Sequence, residues 1–94
     1  MKIRVELVGQ FRDIVGSSET LVEVEEGSTL HELVRKMAAK YGEKFAKRVL
    51  TGSTGMISED VTIVLNGRVI PVEMVSSTLI HETDRVVLMP EAII

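Results

Sequence analysis

Between Thr29 and Gly42 the stretch TLHELVRKMAAKYG reads as one amphipathic helix with a single apolar side. Leu30, Leu33, Val34, Met37, Ala38 and Tyr41 fall at i, i+3, i+4, i+7, i+8 and i+11, which draws one stripe along the helix. Thr29 followed three residues later by Glu32 is a capping box, in which each side chain satisfies a backbone N–H that the first helical turn leaves without a partner. Gly42 fits a left-handed C-cap. On the polar side Glu32 and Lys36 stand at i and i+4 in the favourable order, which predicts an ion pair. A helix with one apolar stripe has to be covered, and a sheet lying on one side of it is the simplest cover.

The rest of the sequence supplies that sheet. In KIRVELV, Ile3, Val5 and Leu7 alternate with Lys2, Arg4 and Glu6, the period of a strand with one wet face. Gly9 breaks the pattern, and QFRDIVG reads as a connector ending at Gly16. TLVEVEE resumes alternation and predicts a second strand, paired with the first. In VTIVLNGRVI two apolar runs flank Asn66-Gly67, the signature of a type I′ hairpin turn, and give strands three and four. Pro71 and the polar SST end the fourth strand, and DRVVLMP gives a fifth, stopped by Pro90. Residues 43–60 read as irregular: EKFAKRVL has room for one more helical turn, and TGSTG is a plain loop. A mixed sheet of four to five strands clasping one main helix, in the order β-β-α-β-β-β, is an α+β fold of the β-grasp type. Ninety-four residues suffice for one such domain, 1–94, with 91–94 as a C-terminal tail.

Composition narrows the chemistry. Apolar residues make up 45% and charged residues 27%, as in globular proteins, and with two Phe, one Tyr and no Trp the core is mainly aliphatic. Without Cys there is no thiolate zinc site and no cysteine nucleophile. The alternating N-terminus is neither a signal peptide nor a membrane span, so a cytoplasmic location is expected. A net charge of −3 argues against nucleic acid as a partner.

The ordered elements, with FRDIVG after strand one, VLNGRVI at the second hairpin and LIHETDRVVLMP at the end, resemble the ThiS/MoaD sulfur carriers, and most of all the small subunit of molybdopterin synthase. The resemblance covers nearly the whole chain. It implies a ubiquitin-like protein whose C-terminal carboxylate is adenylated by an ATP-dependent activating enzyme and becomes a thiocarboxylate, with the sulfur then delivered in a partner's active site. In such proteins the tail ends in Gly-Gly after a proline. Here Pro90, Glu91, Ala92, Ile93 and Ile94 occupy that stretch, with two β-branched residues where glycines are expected. Glycine fits a narrow tunnel because it has no Cβ and reaches backbone angles closed to other residues. Ile93 and Ile94 are wide and stiff.

No catalytic, metal or cofactor-binding set emerges. His31 and His81 lie in different elements and read as solvated surface groups, and Glu23, Glu25 and Glu26 as solubilising charges. TGSTG lacks the Gly-Lys-Ser/Thr of a phosphate loop. Lys36, Lys40, Lys44, Lys47 and Arg48 concentrate positive charge and read as a solvated face, with steering of an acidic partner as the alternative. The hairpin register sets Leu65 against Arg68 and Val64 against Val69. If Val61, Ile63 and Leu65 face the helix, then Val64 and Val69 point away from it, as do Val87 and Met89 on strand five. These four residues are the candidate partner-binding surface, unless loop 72–82 folds over them.

The sequence therefore points to a non-catalytic ubiquitin-like protein that docks to a protein partner, which the resemblance makes an activating enzyme or a synthase large subunit. Contact with a membrane is not expected, and a weak homodimer through the same face is. Two alternatives stand beside this reading. One is a working sulfur carrier for molybdenum/tungsten cofactor or thiamine biosynthesis after tail processing. The other is an adaptor or regulatory subunit without transfer chemistry.

Overall fold

A computed structural model describes residues 1–52 and 55–91 of the 94. The elements run β1 (Lys2–Leu7), α1 (Gln10–Val15), β2 (Glu19–Glu23), α2 (Leu30–Tyr41), α3 (Glu43–Val49), β3 (Val61–Leu65), β4 (Arg68–Ile70), a 3₁₀ segment (Val72–Ser77) and β5 (Arg85–Pro90). The strands form one five-stranded sheet in the order β2-β1-β5-β3-β4. β1 pairs antiparallel with β2 and parallel with β5, and β3 pairs antiparallel with both β4 and β5. The first and last strands thus lie side by side, and α2 crosses one face: a ubiquitin-like β-grasp.

Alternation places the core. Ile3, Val5 and Leu7 of β1, Val22 of β2, Ile63 of β3, and Val86 and Leu88 of β5 are buried against Leu30, Leu33, Val34 and Met37 of α2. The capping box forms as the sequence predicts: the Glu32 backbone N–H donates to Thr29 Oγ1 at 3.2 Å, and the Thr29 backbone N–H donates to Glu32 Oε1 at 3.1 Å. Because Glu32 turns back to the cap, no Glu32–Lys36 ion pair forms among the described residues. That expectation is corrected.

Three further expectations change. QFRDIV is a short helix rather than a plain connector; it buries Phe11 and ends at Gly16, whose φ of 86° is left-handed. EKFAKRV is a helix as well, burying Phe45 and Val49. The two phenylalanine rings meet edge to face with centroids 6.1 Å apart, and Tyr41 tilts against Phe45 at 5.8 Å. Gly42, with φ 87° and ψ −169°, is outside the left-handed helical region. It occupies a conformation open essentially to glycine, which lets one residue end α2 and start α3.

The 3₁₀ segment answers the question left open about residues 72–82. Val75 and Ile80 are buried in the core, the Leu30 N–H donates to the Thr78 carbonyl at 2.9 Å, and Leu79 forms a bridge with Thr29. The connection crosses on the helix side and caps the start of α2. No helix among the described residues is long and apolar enough to cross a membrane.

Candidate protein-docking face

The sheet face away from α2 is divided by chemistry. On β4, β3 and β5, Val69, Val64 and Val87 are consecutive cross-strand neighbours, and Met89 stands opposite Thr62. Parallel pairing of Leu7 with Leu88 sets Val8 beside Met89, and the Val8 N–H donates to the Leu88 carbonyl at 3.0 Å. Val69 is 65% exposed and Val8 41%; Val64, Val87 and Met89 are half-buried. All four residues singled out from the sequence thus share one strip, and Val8 extends it. The sequence offered Val8 only as a strand end before a glycine; its place beside Met89 depends on the β1–β5 pairing, which no local pattern reveals. On β1 and β2 the same face is ionic apart from the exposed Leu21: Arg4 Nε lies 3.2 Å from Glu19 Oε1, and the Arg85 guanidinium lies 2.9 Å from Glu6 Oε1.

At one end of the strip the type I′ turn is braced. Asn66 and Gly67 take φ values of 52° and 84°, and with Val64, Arg85 and Val87 they line a shallow depression. Asn66 Nδ2 donates to Asp84 Oδ1 at 2.9 Å, the Arg85 N–H to Asn66 Oδ1 at 2.9 Å, and the His81 N–H to Asp84 Oδ2 at 2.8 Å. Burial pushes the Asp84 carboxyl up, but the bonds from Asn66 and the His81 backbone, with the nearby His81 ring, outweigh it and hold Asp84 below its ordinary value.

At the other end lies the exit of the C-terminal stretch. Pro90 pairs with Val61, and the Glu91 N–H donates to the Asp60 carbonyl at 3.0 Å, so sheet pairing reaches one residue past Pro90. Gly9 faces this exit with φ 61°, and a Cβ there would stand 3.1 Å from Pro90 Cγ. Of the tail residues named from the sequence, Ala92, Ile93 and Ile94 lie outside the described residues.

The remaining candidates separate. His31 is half-buried, not a solvated group: its Nε2–H donates to the Gly55 carbonyl at 2.8 Å and ties the loop after α3 to α2. His81 is exposed, with Nδ1 3.6 Å from Asp84 Oδ2, and Glu23, Glu25 and Glu26 are exposed. Ser53 and Thr54 of the TGSTG loop lie outside the described residues. Among those described, no group of three or more His, Asp or Glu is placed to hold a metal ion.

Residues 5–91 match the ThiS family. This chain belongs to the ThiS family. No curated protein matches it by sequence. Solved structures carry the same fold. SAMP1 from Haloferax volcanii superposes with a TM-score of 0.82 at 16% identity, over 98% of this chain and 97% of its own. A Pyrococcus furiosus protein described as molybdopterin converting factor, subunit 1, gives 0.76 at 26% identity over 98% and 99%. A chain of the BexX/CysO complex of Amycolatopsis orientalis gives 0.74 at 12% identity over 97% of each. The ThiS-family relationship thus spans both the exposed strip and the exit at Pro90 and Glu91.

Proposed function

We propose that this ThiS-family chain is a non-catalytic carrier-type protein that docks the strip Val8, Val64, Val69, Val87 and Met89 against a protein partner, an activating enzyme or a synthase large subunit. One observation carries the reading: the strip is contiguous and, among the described residues, uncovered, because residues 72–82 cross on the opposite side of the sheet. Exposed apolar surface of this kind, rimmed by the Arg4–Glu19 and Glu6–Arg85 pairs, has the composition of a protein interface. The strip also ends at Pro90, so a partner seated on it lies over the point where the chain continues past Glu91. The matched chain from Amycolatopsis orientalis comes from a protein complex, which supports a docking role.

The test is the double substitution Val64→Glu with Val87→Lys. These positions are cross-strand neighbours, so the introduced charges are opposite and spare the sheet a like-charge clash. Affinity for the activating enzyme or synthase large subunit of the same source, measured by calorimetry, should fall by more than about tenfold. Unchanged affinity in a folded variant refutes the docking role.

As to sulfur transfer, we propose that a chain whose last residues are Glu91-Ala92-Ile93-Ile94 is a poor substrate for thiocarboxylation, since β-branched side chains fit badly where a backbone without Cβ is wanted. The mass of the native C-terminus establishes whether Ile94 is last in the cell. Incubation with ATP, a sulfur source and the activating enzyme should then leave a chain ending at Ile94 unchanged in mass. A gain equal to exchange of one oxygen for sulfur overturns this.

A further inference from the structure

β2 is an edge strand, and its outer side pairs with no other strand among the described residues. At Glu19 the backbone is already occupied: its carbonyl accepts from Ser17 Oγ at 2.8 Å, and its N–H donates to the same oxygen at 3.3 Å. Met1 and Val24 exchange both backbone bonds, and the Leu7 N–H donates to the Ser18 carbonyl. Antiparallel bonding alternates, so Val22 and Thr20 bond to β1, while the backbone groups of Glu19, Leu21 and Glu23 point away from the sheet. Lys40 confirms the direction: its Nζ donates to the Leu21 carbonyl at 3.3 Å. Leu21 is 52% exposed. Between this edge and α2 runs a groove lined by Lys2, Leu21, Val22, Glu23, Lys36 and Lys40. None of the three lysines pairs with a carboxylate among the described residues, in part because Glu32 is held in the capping box.

We propose that the β2 edge and this groove bind an extended acidic segment of a partner protein by strand addition. Main-chain groups of the added strand bond to Leu21 and its neighbours, and alternate side chains fall on the two faces. Those on the helix side meet Lys36 and Lys40, which calls for carboxylates. Those on the other side lie beside Leu21 between Glu19 and Glu23, which calls for apolar groups. Lys40 releases the Leu21 carbonyl to an N–H of the added strand and takes a carboxylate instead. Pairing of two β2 edges is disfavoured, because a two-fold axis at Leu21 sets Glu19 of one copy against Glu23 of the other. The site is separate from the strip used for docking.

The probes are capped heptapeptides in which glutamate alternates with valine, isoleucine or leucine, titrated into the isotope-labelled chain. Binding should shift the amide resonances of Glu19, Leu21 and Glu23, protect the Leu21 amide from exchange, and weaken with salt. Lys36→Glu with Lys40→Glu should reduce affinity by about tenfold or more, and Lys36→Arg with Lys40→Arg should preserve it. Leu21→Pro removes an N–H that β1 does not use, together with the Leu21 side chain, and should abolish binding. Val64→Glu with Val87→Lys should leave peptide binding intact even if that variant has lost the docking partner. Failure of all three peptides at millimolar concentration, shifts confined to the opposite strip, equal binding of a lysine-valine peptide, or a dimer of the free chain that Leu21→Pro dissociates would each overturn the proposal.

Discussion

Asn66 takes φ 52° while its side-chain amide spans the turn and the start of β5. Sequence pattern reveals the first role, because Asn before Gly favours a type I′ turn; the second needs Asp84 and Arg85 brought alongside. Substitution separates the two. Asn66→Gly keeps the turn conformation and loses the amide bonds, which should cost about 1–2 kcal/mol in urea unfolding. Asn66→Ala loses the same bonds and, unlike the glycine variant, keeps a Cβ at positive φ without asparagine's tolerance of that region, for about 1 kcal/mol more than Asn66→Gly. Equal midpoints for the two variants would show that the conformation carries no strain. Asp84 titrates on the other side of this brace. Its folded-state value lies below the ordinary 3.8, so in that range the unfolded chain binds more protons and stability rises with pH. The contribution is complete above 3.8 and is lost as pH falls through the lowered value. Acidification below 3.8 should therefore reduce the stability of the wild type more steeply than that of Asp84→Asn, measured by urea unfolding at stepped pH.

Among the elements, α1 and α3 have only six and seven residues, too few for an apolar stripe to repeat and too few for stability alone. What makes them helices is tertiary burial: Phe11 of α1 packs against Phe45 of α3, and α3, with Phe45 and Val49 buried, packs against α2, where Tyr41 meets Phe45. Phe45→Ala should cost about 3–5 kcal/mol, a large part of the roughly 5–15 kcal/mol that holds a domain folded. Lys47→Ala, which removes the exposed Glu43–Lys47 pair on the same helix, should leave the unfolding midpoint unchanged within error. The reverse ranking would mean that surface pairing rather than packing holds α3. α2 is the opposite case, with twelve residues, a capping box and four buried side chains agreeing on one helix. It was legible from local sequence alone.

For the whole molecule, the core sits wholly between the sheet and its helices, and the other sheet face contributes little to holding the fold. Val64→Glu with Val87→Lys should therefore stay within about 1 kcal/mol of wild type in thermal and urea unfolding, whatever it does to association. A larger loss would make the strip part of the fold and remove it as a free docking face. The two proposed surfaces lie on different strands, the apolar strip chiefly on β3, β4 and β5 and the basic groove between β2 and α2.

Local sequence was enough for the five strands, the main helix with its cap, the Asn66-Gly67 turn and the outward register of Val64, Val69, Val87 and Met89. Each of these follows from a period, or from a residue's own backbone preference, within a few positions of the chain. The tertiary structure decided the rest. It set β1 parallel to β5 and so put Val8 on the strip, took residues 72–82 to the helix side, made helices of α1 and α3, turned Glu32 to its cap and left β2 at an edge beside lysines that have no carboxylate partner among the described residues. The physical reason is that these outcomes depend on partners distant in sequence. A strand's neighbour, and the cover over a short helix, are chosen by how all the apolar faces close around one core, and no window of the chain contains that choice.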